Sequence, residues 1–415
     1  MMHALPLSQW LLAGGCGAAA LYAICAAVAM PFVSVARHRA VRGGHPLPAV
    51  TVFKPLCGDE PRLYENLATF CEQTYNRFQL LFGVSSYDDP AIVVVQRLRA
   101  AYPQVDIELT VDPRVYGSNL KVSNLINMAE YAWYDVFVIA DSDIAVEPDY
   151  LETVVAPLAD ASVGVVTCLY EAKGIGGFWP RVGALFINEW FVPSVRIAHA
   201  AGSSSFGFGA TLALRRTTLE QMGGFAVLRD CLADDYWLTR HARELGLRTV
   251  LSPVVVATDV IERTLGALWR RETRWLRTIR SVNRPGFAFL PISFTSPWLV
   301  FAAWLALHGS STGHPGFAIE MTVCASAGLV ARVLLHARCA HASRSFWRDL
   351  PLVPLRDGLL ALQWLGATVG THVVWRGSRV PVTSSVASVT PLAAPGLTPN
   401  PNRSIVDAME TSDGG

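Results

Sequence analysis

The chain has 415 residues, of which 52% are apolar and only 16% are charged. Ordinary soluble domains carry about a quarter charged residues, so this composition excludes a disordered chain and argues against a wholly soluble protein. Lys and Arg number 34 and Asp and Glu number 33, and the resulting net charge of +1 argues against nucleic acid as a partner. The eight cysteines form no CxxC pair and no zinc-type cluster, so we interpret them as reduced structural thiols.

An apolar segment without Asp, Glu, Lys, Arg or His, Leu7–Val33, lies close to the N-terminus. It is long enough to span a hydrocarbon core of about 30 Å at about 1.5 Å per residue. Because no basic segment precedes it, we predict a retained transmembrane helix within residues 1–36 and not a cleaved signal peptide. Residues 37–42 are rich in Arg and His, which predicts that the N-terminus is outside and that the following chain is cytoplasmic.

Three further apolar segments follow the middle of the chain: 288–308, 316–336 and Gly358–Trp375. They predict three C-terminal transmembrane helices within residues 285–378, with two as the fallback, and therefore about four in the whole chain. The second segment is the weaker one, because Glu320 and Arg332 bracket only eleven uncharged residues. Glu320 and Arg332 lie near the ends of the second segment, where charged side chains can snorkel toward the headgroups. The Ser-, Thr- and Pro-rich segment 379–415 is predicted to be disordered.

Between residues 45 and 260, short β-branched segments alternate with helical patterns. The alternation predicts an α/β domain with a mainly parallel sheet. The expected strands are 49–53, 78–84, 105–111, 135–141 and 163–169, and the expected helices lie near 61–73, 90–101, 119–131 and 149–157. Ligands of such sheets bind beyond the carboxyl ends of the strands, where we therefore expect the functional residues.

Two acidic motifs occur at such strand ends. Asp141-Ser142-Asp143 follows an apolar strand, and its two carboxylates can share Mg²⁺ or Mn²⁺, which would stabilise a diphosphate leaving group. Asp88-Asp89-Pro90 follows another strand. One of its carboxylates either caps the next helix, with Pro90 at the first position, or accepts hydrogen bonds from a base or ribose.

Two more charged positions occur at predicted helix starts. Lys121 follows a Gly- and Asn-containing loop, where it either binds a phosphate group or is a plain surface lysine. Of the neighbouring Asp234 and Asp235, one would cap the following helix and the other could be a general base.

The segment 261–284 interleaves apolar and basic residues and is predicted to be an amphipathic interfacial helix. It contains Arg271, Arg274 and Trp275. We hypothesise that the two arginines bind a diphosphate and that the tryptophan forms a wall of an acceptor pocket.

Taken in order, these motifs resemble those of the membrane-bound GT-A glycosyltransferases of the ceramide glucosyltransferase family. The motifs are Lys54-Pro55-Leu56, Asp88-Asp89-Pro90, Asp141-Ser142-Asp143, Asp234-Asp235-Tyr236 and the R-x-x-R-W that begins at Arg271. The resemblance covers residues 47–290, and the phrases NLKVSNLINM and IADSDI are similar to its bacterial branch, which includes hopanoid-associated glycosyltransferases. It implies a GT-A (nucleotide-diphospho-sugar transferase, Rossmann-like) cytosolic domain at 45–260.

The resemblance also implies roles for individual residues. Asp89 would contact the uridine, Asp141 with Asp143 would hold the metal and the diphosphate, and Asp235 would be the catalytic base. The family motif (Q/R)-x-x-R-W corresponds to Arg271, Arg274 and Trp275, with Arg at the first position as in the ceramide enzymes. The predicted donor site comprises Pro55, Asp89, Lys121 and Asp141.

The expected activity is inverting transfer of a hexose from a UDP-sugar to a lipid hydroxyl, with UDP-glucose and ceramide as the reference pair. A hopanoid polyol acceptor with UDP-N-acetylglucosamine as donor is an open alternative. A processive polysaccharide synthase would need more membrane helices, and a non-catalytic scaffold would not need the acidic motifs. The expected location is the bacterial inner membrane, as a multi-pass protein with a cytoplasmic catalytic domain and Mg²⁺ or Mn²⁺ as cofactor.

Overall fold

The computed structural model describes residues 5–32, 47–340, 343–375 and 378–382. The basic cluster at 37–42 and most of the predicted tail lie outside these residues. The chain divides into two compact units. The sheet unit contains the described residues of 47–170 and 204–258, and the helical unit contains those of 5–32, 171–203 and 259–382.

Eight strands form one sheet in the order β3-β2-β1-β4-β7-β6-β8-β5, and β9 and β10 form a separate hairpin. The strands are β1 (Val50–Pro55), β2 (Phe78–Val84), β3 (Asp106–Val111), β4 (Val136–Ile139), β5 (Ile144–Ala145), β6 (Val163–Gly174), β7 (Leu212–Arg215), β8 (Arg248–Val260), β9 (His372–Trp375) and β10 (Ser378–Pro381). The five strands predicted from the sequence correspond to β1, β2, β3, β4 and β6.

The first half of the sheet is parallel. Strand β1 pairs with β2 and with β4, and β2 pairs with β3, all in the parallel sense. Strands β1 and β4 are buried along their whole length, as expected for central strands that are covered on both faces. This Rossmann-like half confirms the predicted α/β class of the GT-A type.

The second half of the sheet departs from the expected parallel pattern. Strand β7 is antiparallel to both β4 and β6, and β5 is antiparallel to β8. The sheet is therefore mixed. Strands β7 and β8 were not predicted, because β7 has four residues and β8 contains Pro253, which lowers the strand signal of a sequence.

Helices cover the sheet and build the helical unit. They are α1 (Leu7–Phe32), α2 (Leu63–Cys71), α3 (Ala91–Ala101), α4 (Leu120–Ala129), α5 (Tyr150–Val155), α6 (Phe178–Phe186), α7 (Val192–Ala200), α8 (Arg216–Gln221), α9 (Asp234–Glu244), α10 (Leu265–Val282), α11 (Arg284–Phe289), α12 (Thr295–Ser311), α13 (Pro315–Cys339), α14 (Ser343–Asp349) and α15 (Leu352–Ala367). The four helices predicted between residues 61 and 157 correspond to α2, α3, α4 and α5.

Within the described residues, two helices are long and apolar enough to cross a membrane, Leu7–Met30 and Pro315–Cys339. A third span exists if the bent pair Arg284–Ser293 and Thr295–Ser311, which meet at 56°, crosses as one unit. Helices α1, α12 and α13 pack together through small and apolar side chains, among them Ala13, Cys16 and Leu305. The prediction of about four transmembrane helices is therefore wrong in number.

The last predicted span, Gly358–Trp375, does not form one helix. Helix α15 begins earlier, at Leu352, and ends at Ala367. Gly370 lies in the turn that leads into β9 and has a φ of +91°. Glycine adopts a positive φ without a side-chain clash.

Arg332 in α13 does not snorkel to the surface. Its side chain is buried and donates hydrogen bonds to Glu189 at 2.6 Å and to Asp357 at 3.1 Å. His336, one turn later, places Nδ1 2.6 Å from Glu189. Both carboxylates are thus compensated inside the helical unit, as burial of charge requires.

Candidate active site

A lysine between two carboxylates lies beyond the carboxyl end of the parallel strands. Lys121, in the first turn of α4, places Nζ 2.6 Å from Oδ1 of Asp141 and 3.4 Å from Oδ2 of Asp234. Burial lowers the pKa of Lys121, but the charges of Asp141 and Asp234 outweigh it and raise the pKa above its usual value. Lys121 is therefore a permanently charged group of the site and not a plain surface lysine.

Asp235 joins this cluster through a backbone amide. Its Oδ2 accepts a hydrogen bond from Gly209 N–H at 2.9 Å, and its Oδ1 accepts one from Tyr236 N–H at 2.7 Å. A Cβ at Gly209 would lie 3.0 Å from Oδ2 of Asp141 and 3.3 Å from Nζ of Lys121. Gly209 therefore bonds to Asp235 and lies next to the Lys121–Asp141 pair.

The pKa of Asp235 rises to about 7, because the carboxylate is buried and lies beside the negative charge of Asp234. A carboxyl group with this pKa can exchange a proton near neutral pH, as a general base must. Asp234 does not cap α9, contrary to the capping interpretation, since no side-chain cap is present at this helix start. It pairs with Lys121 instead.

Asn119 connects the segments that carry these groups. Its side chain caps α4 by accepting a hydrogen bond from Val122 N–H at 3.1 Å, and its Nδ2 donates to the Cys231 carbonyl at 2.8 Å and to Asp234 at 3.3 Å. The Asn119 N–H donates to the Arg229 carbonyl at 2.8 Å. A single buried amide thereby fixes the start of α4 against the loop before α9.

Asp143 and Lys54 complete the surroundings of Asp141. Oδ2 of Asp143 accepts a hydrogen bond from Thr258 at 2.7 Å, and burial together with the charge of Asp141 raises the pKa of Asp143 to about 6. Lys54 is fully buried at the end of β1 beside Phe70, and its Nζ donates to the Asp141 carbonyl at 2.6 Å. Burial lowers the pKa of Lys54 to about 7, although nearby carboxylates oppose the shift.

The oxygen-rich pair Asp141 and Asp143 fits a hard divalent cation. In the described part of the chain, no group of three or more His, Cys, Asp or Glu side chains is arranged to hold a metal. Two carboxylates nevertheless suffice for Mg²⁺ in phosphate-transfer sites, where water and substrate oxygens complete the coordination. The raised pKa of Asp143 reflects its burial and then the nearby charge of Asp141, and a cation would offset that charge.

Asp89 connects the loops after the two neighbouring parallel strands β1 and β2. Its carboxylate accepts hydrogen bonds from Gly58 N–H at 3.0 and 3.1 Å and from Ala91 N–H at 2.9 Å. The contact with Ala91 lies at the start of α3, but the N-cap residue there is Pro90 and no side-chain cap is present, so the capping interpretation of Asp89 is not confirmed. Pro55, the last residue of β1, lies at the same edge of the sheet, and contacts of either residue with a nucleotide remain predictions.

The residues of the R-x-x-R-W motif belong to the helical unit. Arg271 pairs with Glu262 at 2.7 Å and lies 5.1 Å from the centre of the Trp275 ring. Its Nε and Nη2 are buried without a hydrogen-bond acceptor. The Trp275 ring packs against Phe186 at 5.7 Å. The catalytic roles of Arg271, Arg274 and Trp275 remain predictions.

Sequence reasoning named Lys54 in a motif but gave it no role in the site. It missed Gly209 and the pairing of Asp234 with Lys121. Lys54 had a recognisable signal, because it is the one charged residue in the segment 50–56, and a buried lysine needs a specific partner. Gly209 contributes a main-chain N–H, which no side-chain pattern can indicate.

A family model described as glycosyl transferase family 21 matches residues 17–387. A ceramide glucosyltransferase 3 from Caenorhabditis elegans is 26% identical over 254 residues, which are 60% of this chain and 54% of that protein. An N-acetylglucosaminyltransferase from Rhizobium leguminosarum bv. viciae is 23% identical over 244 residues, with 56% of each chain covered. The chain thus spans about half the length of the curated relatives it matches.

Among solved structures, the fold is similar to a mannosyltransferase from Pyrobaculum calidifontis in complex with GDP-Man and Mn²⁺. The TM-score is 0.43 at 20% sequence identity, and the match covers 84% of this chain and 99% of that one.

Proposed function

Because the chain belongs to glycosyl transferase family 21, we propose that it is an inverting membrane glycosyltransferase. It transfers a hexose from a UDP-sugar to a lipid hydroxyl, with UDP-glucose and ceramide as the first pair to test. One observation carries this proposal. Lys121 bridges Asp141 and Asp234, and the Gly209 amide holds Asp235 beside them, beyond the carboxyl ends of the parallel strands.

Asp235 is the proposed general base. Its carboxylate removes the proton from the acceptor hydroxyl while the oxygen attacks the anomeric carbon in line with the departing diphosphate. The backbone amides of Gly209 and Tyr236 orient this carboxylate, and its pKa of about 7 matches the task at neutral pH. A single displacement inverts the anomeric centre and gives a β-glycoside, without a covalent enzyme intermediate.

The donor side uses the other groups of the cluster. Lys121 offers a fixed positive charge to the phosphates, and Asp89 is proposed to accept hydrogen bonds from the nucleoside. Bound Mg²⁺ or Mn²⁺, held by Asp141 and Asp143, would supply charge stabilisation for the departing UDP. Nζ of Lys54 donates a hydrogen bond to the main-chain carbonyl of Asp141. This contact keeps the carboxylates at this strand end in their orientation.

The helical unit is proposed to bring the lipid. Two helices of the described part of the chain are long and apolar enough to span a bilayer, which favours a multi-pass protein. It is proposed to reside in the bacterial inner membrane with a cytoplasmic sheet unit. The unsatisfied Nε and Nη2 of Arg271 support a role in binding an anionic group, for which Arg274 is the proposed partner. Trp275 offers an apolar surface to the acceptor.

A second donor follows from one comparison. The Rhizobium relative is named an N-acetylglucosaminyltransferase, so UDP-N-acetylglucosamine is the alternative sugar donor. With this donor, the acceptor proposed from the sequence is a hopanoid polyol.

Release of UDP by the full-length protein in detergent micelles tests these assignments. Each UDP-sugar is combined with ceramide, with a bacteriohopane polyol and with no lipid, and the products are identified by mass spectrometry. Lipid-dependent release with one pair is expected. Release that no lipid stimulates, with no glycolipid formed, would contradict the proposed transfer.

A further inference from the structure

Helix α10 buries a carboxylate in the middle of its apolar stripe. Leu268, Glu272 and Leu276 follow one another at intervals of four residues, and all three are fully buried. Leucine at the central position would continue the stripe at no cost in desolvation. A charge at this position therefore needs a compensating partner, and its presence indicates a role other than apolar packing.

The partner of Glu272 is on α15. Arg356 Nη1 donates to Oε2 of Glu272 at 2.7 Å, and Gln363 Nε2 donates to the same oxygen at 2.7 Å. Arg356 Nη2 also donates to Gln363. Both α15 residues are fully buried, so Glu272, Arg356 and Gln363 form a buried triad between two helices. Oε1 of Glu272 and Nε of Arg356 have no hydrogen-bond partner in it.

The triad adjoins the aromatic residues that contact the R-x-x-R-W motif. The Arg356 guanidinium lies 5.3 Å from the centre of the Phe186 ring, and that ring lies 5.7 Å from the Trp275 ring. Glu272 is itself between Arg271 and Trp275 in the chain, and its carboxylate lies 3.9 Å from Nη2 of Arg271. Any rotation of α10 about its axis would break the triad and would also displace Arg271 and Trp275.

We propose that Glu272, Arg356 and Gln363 are positioning residues that fix the rotation of α10 and so hold Trp275 against Phe186 as a wall of the acceptor site. Buried ion pairs often add little net stability compared with apolar residues of similar volume, whereas they can specify one arrangement of helices over others. The triad therefore acts on the geometry of the acceptor wall. This inference rests on the proposed function for its kinetic consequence.

An apolar replacement separates positioning from stability. The triple variant Glu272→Leu, Arg356→Met, Gln363→Leu removes all three polar groups and leaves none of them unpaired. We expect a melting temperature at or above that of the wild type. We also expect a rise of about tenfold in the KM for the lipid, because small displacements at a site are costly, with the KM for the UDP-sugar nearly unchanged. Phe186→Leu, which changes no charge, should raise the lipid KM in the same direction.

Hydroxyl-radical footprinting of the full-length protein in micelles reads the position of Trp275 without any need for activity. Trp275 should be oxidised faster in the triple variant than in the wild type, with the exposed Trp347 as the internal reference. The control is Arg181→Met with Asp349→Leu, which removes another ion pair of the helical unit, together with the contact of Asp349 to the exposed Arg348. It should leave both readouts unchanged.

An unchanged Trp275 footprint, a wild-type lipid KM or a strongly lowered melting temperature in the triple variant would each overturn the proposal. A wild-type protein that transfers sugar to no lipid would instead refute the proposed function. In that case the footprint still decides whether the triad positions Trp275.

Discussion

Replacing Asp235 by asparagine is the most direct test of the proposed chemistry. The substitution keeps the size of the side chain and removes its ability to accept a proton. General-base catalysis typically contributes about 10²- to 10⁴-fold to a rate, which corresponds to roughly 3–5 kcal/mol of barrier at about 1.4 kcal/mol per factor of ten. We therefore expect kcat of Asp235→Asn to fall by at least about 100-fold.

The structure limits the side effects of this substitution. The carboxylate accepts one backbone N–H on each oxygen, from Gly209 and from Tyr236. An asparagine amide can satisfy only one of them, so about 1–3 kcal/mol of stability is lost. Removal of a negative charge beside Asp234 offsets part of that loss. The variant should remain folded and should bind the UDP-sugar with nearly wild-type affinity.

Asp234→Asn is the matched control, because it makes the same chemical change one residue away. It weakens an interaction with Lys121 at 3.4 Å and removes no proposed base, so kcat should fall by less than about tenfold. The assay is glycolipid formation in micelles, with donor binding measured by calorimetry and folding by thermal melting. Near-normal turnover of Asp235→Asn, or equal losses in the two variants, would refute the assignment of the base.

Three further predictions concern the same cluster. Gly209→Ala would place a Cβ 3.0 Å from Oδ2 of Asp141 and 3.3 Å from Nζ of Lys121. The KM for the UDP-sugar should therefore rise about tenfold, in a protein that still melts cooperatively. An unchanged donor KM would show that the donor does not use this space. The pH profile of kcat/KM should rise with pH through about 7 and then level off, because Asp235 is active only when deprotonated and its raised pKa places that transition near 7. A profile that is flat from pH 5 to 9 would argue against Asp235 as the base. EDTA should abolish transfer and Mn²⁺ or Mg²⁺ should restore it, whereas full activity in EDTA would exclude the metal role of Asp141.

Much of the parallel half of the fold could be predicted from the sequence. The bounds of β2 are those expected, and β4 lies within the expected segment 135–141. Both strands are short, largely buried segments in which nearly all residues are apolar, and their length favours a strand over a helix. The acidic motifs were located for the same reason, because they interrupt such segments at their carboxyl ends.

The rest depended on contacts that are distant in sequence. Lys121 was placed at a helix start, but its position between Asp141 and Asp234 follows from how the sheet brings the three loops together. The span Gly358–Trp375 was predicted from hydropathy alone. The helix found there, α15, begins at Leu352 and includes Arg356, which precedes the apolar segment and which the fold buries against Glu272. An apolar count cannot distinguish a charge that leaves the bilayer from one that has a buried partner.

The balance of charge distinguishes the two kinds of cluster in this protein. In the helical unit, each buried carboxylate of these networks has a basic hydrogen-bond partner. Arg332 donates to Glu189 and to Asp357, and Nδ1 of His336 also lies at Glu189. Arg356 donates to Glu272. In the sheet unit, the aspartates outnumber the lysines around them, and the excess negative charge contributes to the raised pKa values of Asp143 and Asp235. Paired charges of the first kind can specify one arrangement of helices. A cluster with excess negative charge favours the binding of a cation or a proton, and for this reason the proposed base and metal ligands are assigned to the sheet unit.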